Sequence, residues 1–240
     1  MVGVRATAVF LREDVGRAKV FAMKDAIARA ATSPRLDVQC VEYSICEEEG
    51  FNASLDCDVI FSCVDRPWPR QVINFISYGH LIPAIDGGIL VRSNKDNTRL
   101  VGADWKVHTA GYGRPCLECL GQYKTANAIL EKDGKLDDPS YLQGLDKSQY
   151  QEVHENVFPF SSNVASLEVL QLLRLILAPS GLSNIGQQTF HFVTGEFERD
   201  KSHSCDPNCF FPSVQGKGDS AGIQVFGKHP IAEKARNKRS

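Results

Sequence analysis

Residues 57–70, CDVIFSCVDRPWPR, constrain the fold more than any other stretch of the chain. Val59, Ile60 and Phe61 begin an apolar run that continues through Cys63 and Val64 and stops at Asp65. A short run rich in β-branched and aromatic residues predicts a strand buried on both faces, as central strands of parallel sheets are. Pro67 and Pro69 then open a helix, because proline is tolerated in a first helical turn. Asp65 therefore falls at the carboxyl end of a strand, just before a helix, and open α/β sheets bind ligands along that edge. The same position also suits a residue that does no more than cap the helix.

The rest of the chain extends this pattern. Asp14 is placed to cap a helix running to about Ala31, with Val20, Met23, Ala26, Ile27 and Ala30 on one buried face. Lys19 lies in its first turn, where the helix dipole disfavours a cation, and it also suits an ordinary solvated position. Residues 36–43 alternate as a strand, and an acidic turn, 47–50, leads to the strand at 57–64. Leu81 to Ile85 predicts a second buried strand ending at Asp86. Strands alternating with helices imply an α/β fold with parallel strands and right-handed crossovers. Residues 89–92 and 100–109 extend the sheet, in antiparallel sense, around a polar turn at 94–97. Residues 2–9 suit a frayed helix or a short strand. Residues 121–158 form a long polar segment, of the kind that is either a functional loop or disordered. Ser162 to Leu177 predicts a helix apolar on most sides and deeply buried. Residues 188–197 alternate as a last strand. From Gln215 onward the chain is rich in Gly, Lys and Arg and predicts a flexible tail, so that an ordered domain spans 1–212 and the tail 213–240.

A net charge of -2 gives no nucleic-acid footprint. No stretch of about 18 apolar residues is evident, and no basic region followed by an apolar core opens the chain, so neither a membrane span nor a secretory signal is expected. The expected compartment is the cytoplasm. Eight cysteines in a reducing compartment suggest metal ligands or buried thiols rather than disulfides. Cys116 and Cys119 form a CxxC pair, and Cys205 and Cys209 a CxxxC pair flanked by turn residues. Either spacing lets one loop supply two thiolates, and two such loops complete a closed, structural four-thiolate zinc site. A redox pair is the alternative, but the setting of a thioredoxin-like site is missing. Cys57 and Cys63, on the central strand, are expected to be buried and inert.

Taken in order, these pieces resemble the ThiF/MoeB/HesA family, relatives of the ubiquitin-activating enzymes. The resemblance rests on DVGRAKV at 14–20, DVIFSCVD at 58–65 with Arg70, IPAI at 82–85 with Gly87, the CLEC pair, Asn163-Val164-Ala165 in the late helix, and the CDPNC pair. It covers roughly residues 12–212. It implies a Rossmann-like, mostly parallel sheet with an antiparallel extension and a four-cysteine zinc site. It also implies adenylation of the C-terminal glycine of a ubiquitin-like or sulfur-carrier protein, using ATP and magnesium. Lys19 then resembles the lysine that contacts the ATP phosphates, and Asp65 the aspartate that holds magnesium, with Arg70 at the same edge. Those two are the catalytic candidates, and Lys19, Asp65 and Arg70 the nucleotide-binding ones. A homodimer or a family heterodimer is the expected assembly.

The family's opening strand, its glycine-rich phosphate loop and the acidic strand end that follows have no counterpart in the sequence. The N-terminal βαβ unit is therefore expected to be missing. No cysteine lies on the 121–158 segment, which favours adenylation alone over thioester transfer. A non-catalytic, zinc-stabilised remnant or partner subunit that binds a ubiquitin-like protein is the alternative. A dinucleotide oxidoreductase is disfavoured for want of GxGxxG.

Overall fold

The computed structural model describes residues 11–94, 99–136, 158–200 and 204–239. The expectations for residues 2–9 and for 137–157 of the polar segment lie outside the described residues.

Five strands form one sheet in chain order: β1 (Ile60–Ser62), β2 (Ala84–Ser93), β3 (Leu100–Ala110), β4 (Gln187–His191) and β5 (Glu196–Asp200). β1 and β2 are parallel, with Ser62 opposite Asp86, and every later pair is antiparallel. The α/β class and the antiparallel extension hold. The sheet is mixed, with parallel pairing confined to β1 and β2 among the described residues. Among the described residues β1 has a strand on one side only, so Asp65 follows an edge strand of the described sheet.

Among the described residues six α-helices accompany the sheet: α1 (Lys19–Ala30), α2 (Glu48–Leu55), α3 (Pro67–Gly79), α4 (Thr125–Lys132), α5 (Phe158–Leu177) and α6 (Pro230–Asn237). α3 is the crossover between β1 and β2 and the most buried helix. Its Trp68, Val72, Ile73, Phe75, Ile76 and Tyr78 pack with Phe51 of α2 and Ala128 of α4 in the larger core. The smaller core lies between α5 and the sheet, where Trp105 stacks on Phe190 at 4.7 Å and packs on Phe160.

Several expectations are corrected. Asp14 does not cap α1. Its carboxylate accepts the Leu11 N–H and pairs with Arg17, and α1 begins five residues later with only Ala22 of its own length buried. Residues 36–43 form no strand, and the acidic turn opens α2, where Gly50 passes so close to Ser44 that a Cβ would lie 2.1 Å from its carbonyl oxygen. β2 starts at Ala84 and runs on through Asp86-Gly87-Gly88. Glycine is needed there because α5 crosses that strand: a Cβ on Gly87 would lie 2.4 Å from Glu168 Oε1 and 2.5 Å from Val164 Cγ1. The stretch 188–197 is a hairpin, broken at Gly195 with φ 73°.

Helix α5 is not deeply buried. Phe160, Val164, Glu168 and Gln171 face inward, whereas Val169, Leu170, Leu173, Ile176 and Leu177 are exposed. By length and composition alone it is apolar enough to cross a membrane, but it packs across β2 and β3 with two polar side chains turned to the sheet.

Composition also misrepresents the tail. Phe211 and Val214 are buried, Trp68 Nε1 donates to the Val225 carbonyl at 2.9 Å, and the Gly227 N–H donates to the Cys46 carbonyl at 2.7 Å. Arg236 on α6 then forks onto both oxygens of Glu47 at 2.7 and 2.6 Å. Residues 211–239 thus strap the face of the molecule formed by α2, α3 and α4.

Candidate functional site

The two cysteine pairs meet. Cys116 and Cys119 follow β3, Cys205 and Cys209 follow β5, and their four sulfurs lie within 4.8 Å of one another. Cys116 and Cys209 sulfurs are 3.6 Å apart. Four thiolates at about 2.3 Å from a tetrahedral zinc would stand about 3.8 Å from each other, so the cluster fits such an ion. Backbone N–H groups of Cys116, Cys119 and Asp206 donate to the sulfurs of Cys205, Cys116 and Cys119 respectively, as donors around a metal-thiolate site do. Without an ion, burial pushes the Cys116 thiol up.

The second cluster is at the level where β1 ends. Asp86 on β2 is fully buried. Its Oδ1 accepts from Ser62 Oγ of β1 and from Arg70 Nε of α3, the latter at 3.1 Å. Arg70 also donates to the carbonyls of Gly87 at 3.2 Å and Gln122 at 3.3 Å, so it ties α3, β2 and the segment before α4 together. Asp65, three residues beyond β1, is exposed and forms no hydrogen bond or ion pair among the described residues. Lys19 is exposed on α1, and neither bond type joins it to Asp65 or Arg70. The fold thus brings Arg70 to Asp86, a residue whose role sequence reasoning missed.

Glu168 was missed as well. It is buried in the middle of α5 over Gly87, and burial, followed by the nearby Asp86 carboxylate, pushes it up to about 7. Its signal in the sequence is a single carboxylate inside an apolar helix. Cys63 is exposed, not buried as expected, and so is Cys57. Desolvation of the Cys63 sulfur, then Glu168 and Asp86, nevertheless push its thiol up to about 11.

The raised Glu168 carboxyl makes a prediction with a definite sign. The folded state holds this proton more tightly than the unfolded state, whose value is 4.5. Its contribution is therefore complete below about pH 4.5 and is lost as pH rises through about 7, a change of about 3 kcal/mol. Urea melts across that range should show Glu168→Gln gaining on wild type as pH rises. Parallel curves would mean that the group is not held protonated.

The chain belongs to the ThiF family, whose model matches residues 5–209. Among solved structures it is similar to E. coli MccB in complex with ATP, with a TM-score of 0.57 and 15% identity over 85% of this chain and 53% of that one. It is similar also to E. coli MccB with MccA-N7isoASN, with a TM-score of 0.55 and 15% identity over 85% of this chain and 54% of that one. At that identity the likeness is one of fold, and the chain spans about half the length of the structures it matches. No sequence among the curated proteins matches the chain.

Proposed function

We propose that this chain carries the Asp65 edge of an adenylating enzyme that joins AMP to the C-terminal glycine of a ubiquitin-like or sulfur-carrier protein. The observation that carries the proposal is Asp65, an exposed and unpartnered carboxylate in the turn between β1 and α3 of a ThiF-family sheet. A carboxylate oxygen of the substrate protein would attack the α-phosphorus of ATP, and the bond to pyrophosphate would break. Negative charges converge in that step, and a cation offsets the developing charge. Asp65 would hold magnesium. Lys19 would contact the phosphates as a point charge, and Arg70 would fix the same edge through Asp86. Zinc would sit on Cys116, Cys119, Cys205 and Cys209 as a closed structural site with no open position for chemistry. We assign the chain to the cytoplasm as a homodimer or a family heterodimer. The exposed apolar residues of α5, and an edge of β1 that pairs with no other strand among the described residues, support a paired state.

The test is ATP–pyrophosphate exchange on the purified chain with magnesium and a panel of ubiquitin-like proteins ending in Gly-Gly. Exchange should fall at least about 100-fold in Asp65→Ala, equivalent to about 2.7 kcal/mol of transition-state stabilisation. Equal rates in the two proteins would sink the proposal. The lack of a glycine-rich phosphate loop in the sequence favours a second reading, a zinc-stabilised partner subunit that binds a ubiquitin-like protein without adenylating it. Under that reading no exchange occurs while binding persists.

A further inference from the structure

The turn that carries Asp65 is held from the far half of the chain. Its first end is fixed by β1, whose Ser62 lies opposite Asp86 in the sheet. Its second end is the N-terminus of α3, and the sequence Pro67-Trp68-Pro69 makes that end unusual. Prolines have no N–H, so of the first three helical residues only Trp68 offers a donor, and Arg66 at the cap position makes no side-chain cap bond. Glu131 of α4, 65 residues away from Arg66 in the chain, takes that donor. Its Oε2 accepts the Trp68 N–H at 2.9 Å and its Oε1 accepts from Arg66 Nε at 2.7 Å, with the Glu131 side chain 2% exposed. A carboxylate there is favoured by the helix dipole and by two charge-assisted bonds. The C-terminal strap closes the same clamp from above: Trp68 Nε1 donates to the Val225 carbonyl, the His229 ring packs edge-on against Trp68 at 5.3 Å, and Lys132, next to Glu131, reaches the Gln224 carbonyl at 3.4 Å.

We propose that Glu131, backed by the 224–229 strap, is the positioning residue of the Asp65 turn. It caps α3 through space and pins Arg66, and so sets where the neighbouring carboxylate stands. This rests on the role proposed above for Asp65. Glu131 touches neither substrate nor metal, so its loss should loosen the metal site without removing a ligand.

The test uses the full chain with Glu131→Gln, Glu131→Ala and Asp65→Ala beside wild type. Hydrogen exchange reads the Trp68 amide directly, and the magnesium dependence of ATP–pyrophosphate exchange reads the position of Asp65. Glu131→Ala should release the Trp68 amide, whereas Glu131→Gln keeps one oxygen that can accept it and loses the acceptor for Arg66. Both variants should raise the magnesium concentration for half-maximal rate about 10-fold, the order expected when a site group is displaced without being removed, while the rate at saturating magnesium stays close to wild type. Should both variants fail to fold, Arg66→Gln, on the more exposed side of the pair, replaces them and should shift the midpoint in the same direction by less. A Trp68 amide that exchanges freely in wild type overturns the inference. So does an unchanged magnesium midpoint in folded Glu131 variants beside a dead Asp65→Ala, an outcome that leaves the adenylation proposal standing. Wild type without any exchange, its Trp68 amide still protected, sinks the adenylation proposal and takes the positioning role with it.

Discussion

Cys116→Ser is expected to purify without its metal and to melt at least about 10 °C below wild type, because a structural zinc site contributes folding free energy outright. Apparent values of about 10–16 kcal/mol for such sites make this the largest effect of any single substitution in the chain. The loss should spread along two routes. Next to Cys116, the Leu117 N–H donates to Asn74 Oδ1 inside α3, and Asn74 in turn donates to the Tyr123 hydroxyl. Beyond Cys209, the chain runs directly into Phe211 and Val214, which fill the core beside Tyr78. Atomic absorption on the purified protein, with thermal melts before and after a strong chelator, checks the prediction. One equivalent of zinc in wild type, none in the variant and a matching drop on chelation is the expected pattern. Wild type that is metal-free and unaffected by chelator would leave the four cysteines as free thiols, of which Cys116 alone is fully buried.

Arg70→Ala comes next in size, with an expected cost of about 3–5 kcal/mol, the range for breaking a buried ion pair from one side. Asp86 is fully buried, and Arg70 Nε and Ser62 Oγ supply its hydrogen bonds, both on Oδ1, while Oδ2 has none. Desolvation already raises the Asp86 carboxyl, with Arg70 opposing it. Without the guanidinium the carboxyl rises further, so part of the lost stability should return at low pH as Asp86 takes up a proton. The double variant Arg70→Ala/Asp86→Ala should be less damaged than the sum of its parts, since the charge that needed a partner has gone. Urea melts of the three variants at neutral and acidic pH decide the matter. Additive effects at both pH values would show that Arg70 acts through its packing and its two carbonyl contacts alone.

How far the sequence reveals this molecule depends on the distance over which each signal acts. The run at 59–64 and the prolines at 67 and 69 are local and strong, and β1 and α3 stand where they predict. Cysteine spacing is equally local, and the fold brings both pairs to one point. The acidic stretch at 47–49 is ambiguous by composition, because glutamates favour both a solvated turn and the first turn of a helix. It opens α2 because Gly50 lets the chain pass close to Ser44. The strap is illegible for a different reason. A few long-range bonds to Trp68, Cys46 and Glu47 order a polar, glycine-rich segment that has no periodicity of its own. The functional edge is divided in the same way. Asp65 is visible from its place after a strand and before a helix, while Asp86, Glu168 and Glu131 acquire meaning only when separate elements meet. Helix α5 reads as buried from hydrophobicity alone, which cannot tell the face against the sheet from the face left open.

The order of the strands bears on how the chain finds its fold. β2 and β3 are neighbours in sequence and pair over ten residues, so this hairpin can form early, with little chain to close. The cysteine cluster instead joins positions 89 residues apart, and closing a loop of that length has to precede any reward from the contacts it makes. An ion that captures the first pair and waits for the second would shorten that search. Until it does, the strap is not held at its root, where Cys209 leads into Phe211 and Val214. Metal supply during synthesis would then decide how long the nascent chain stays open, quite apart from how stable it becomes once closed.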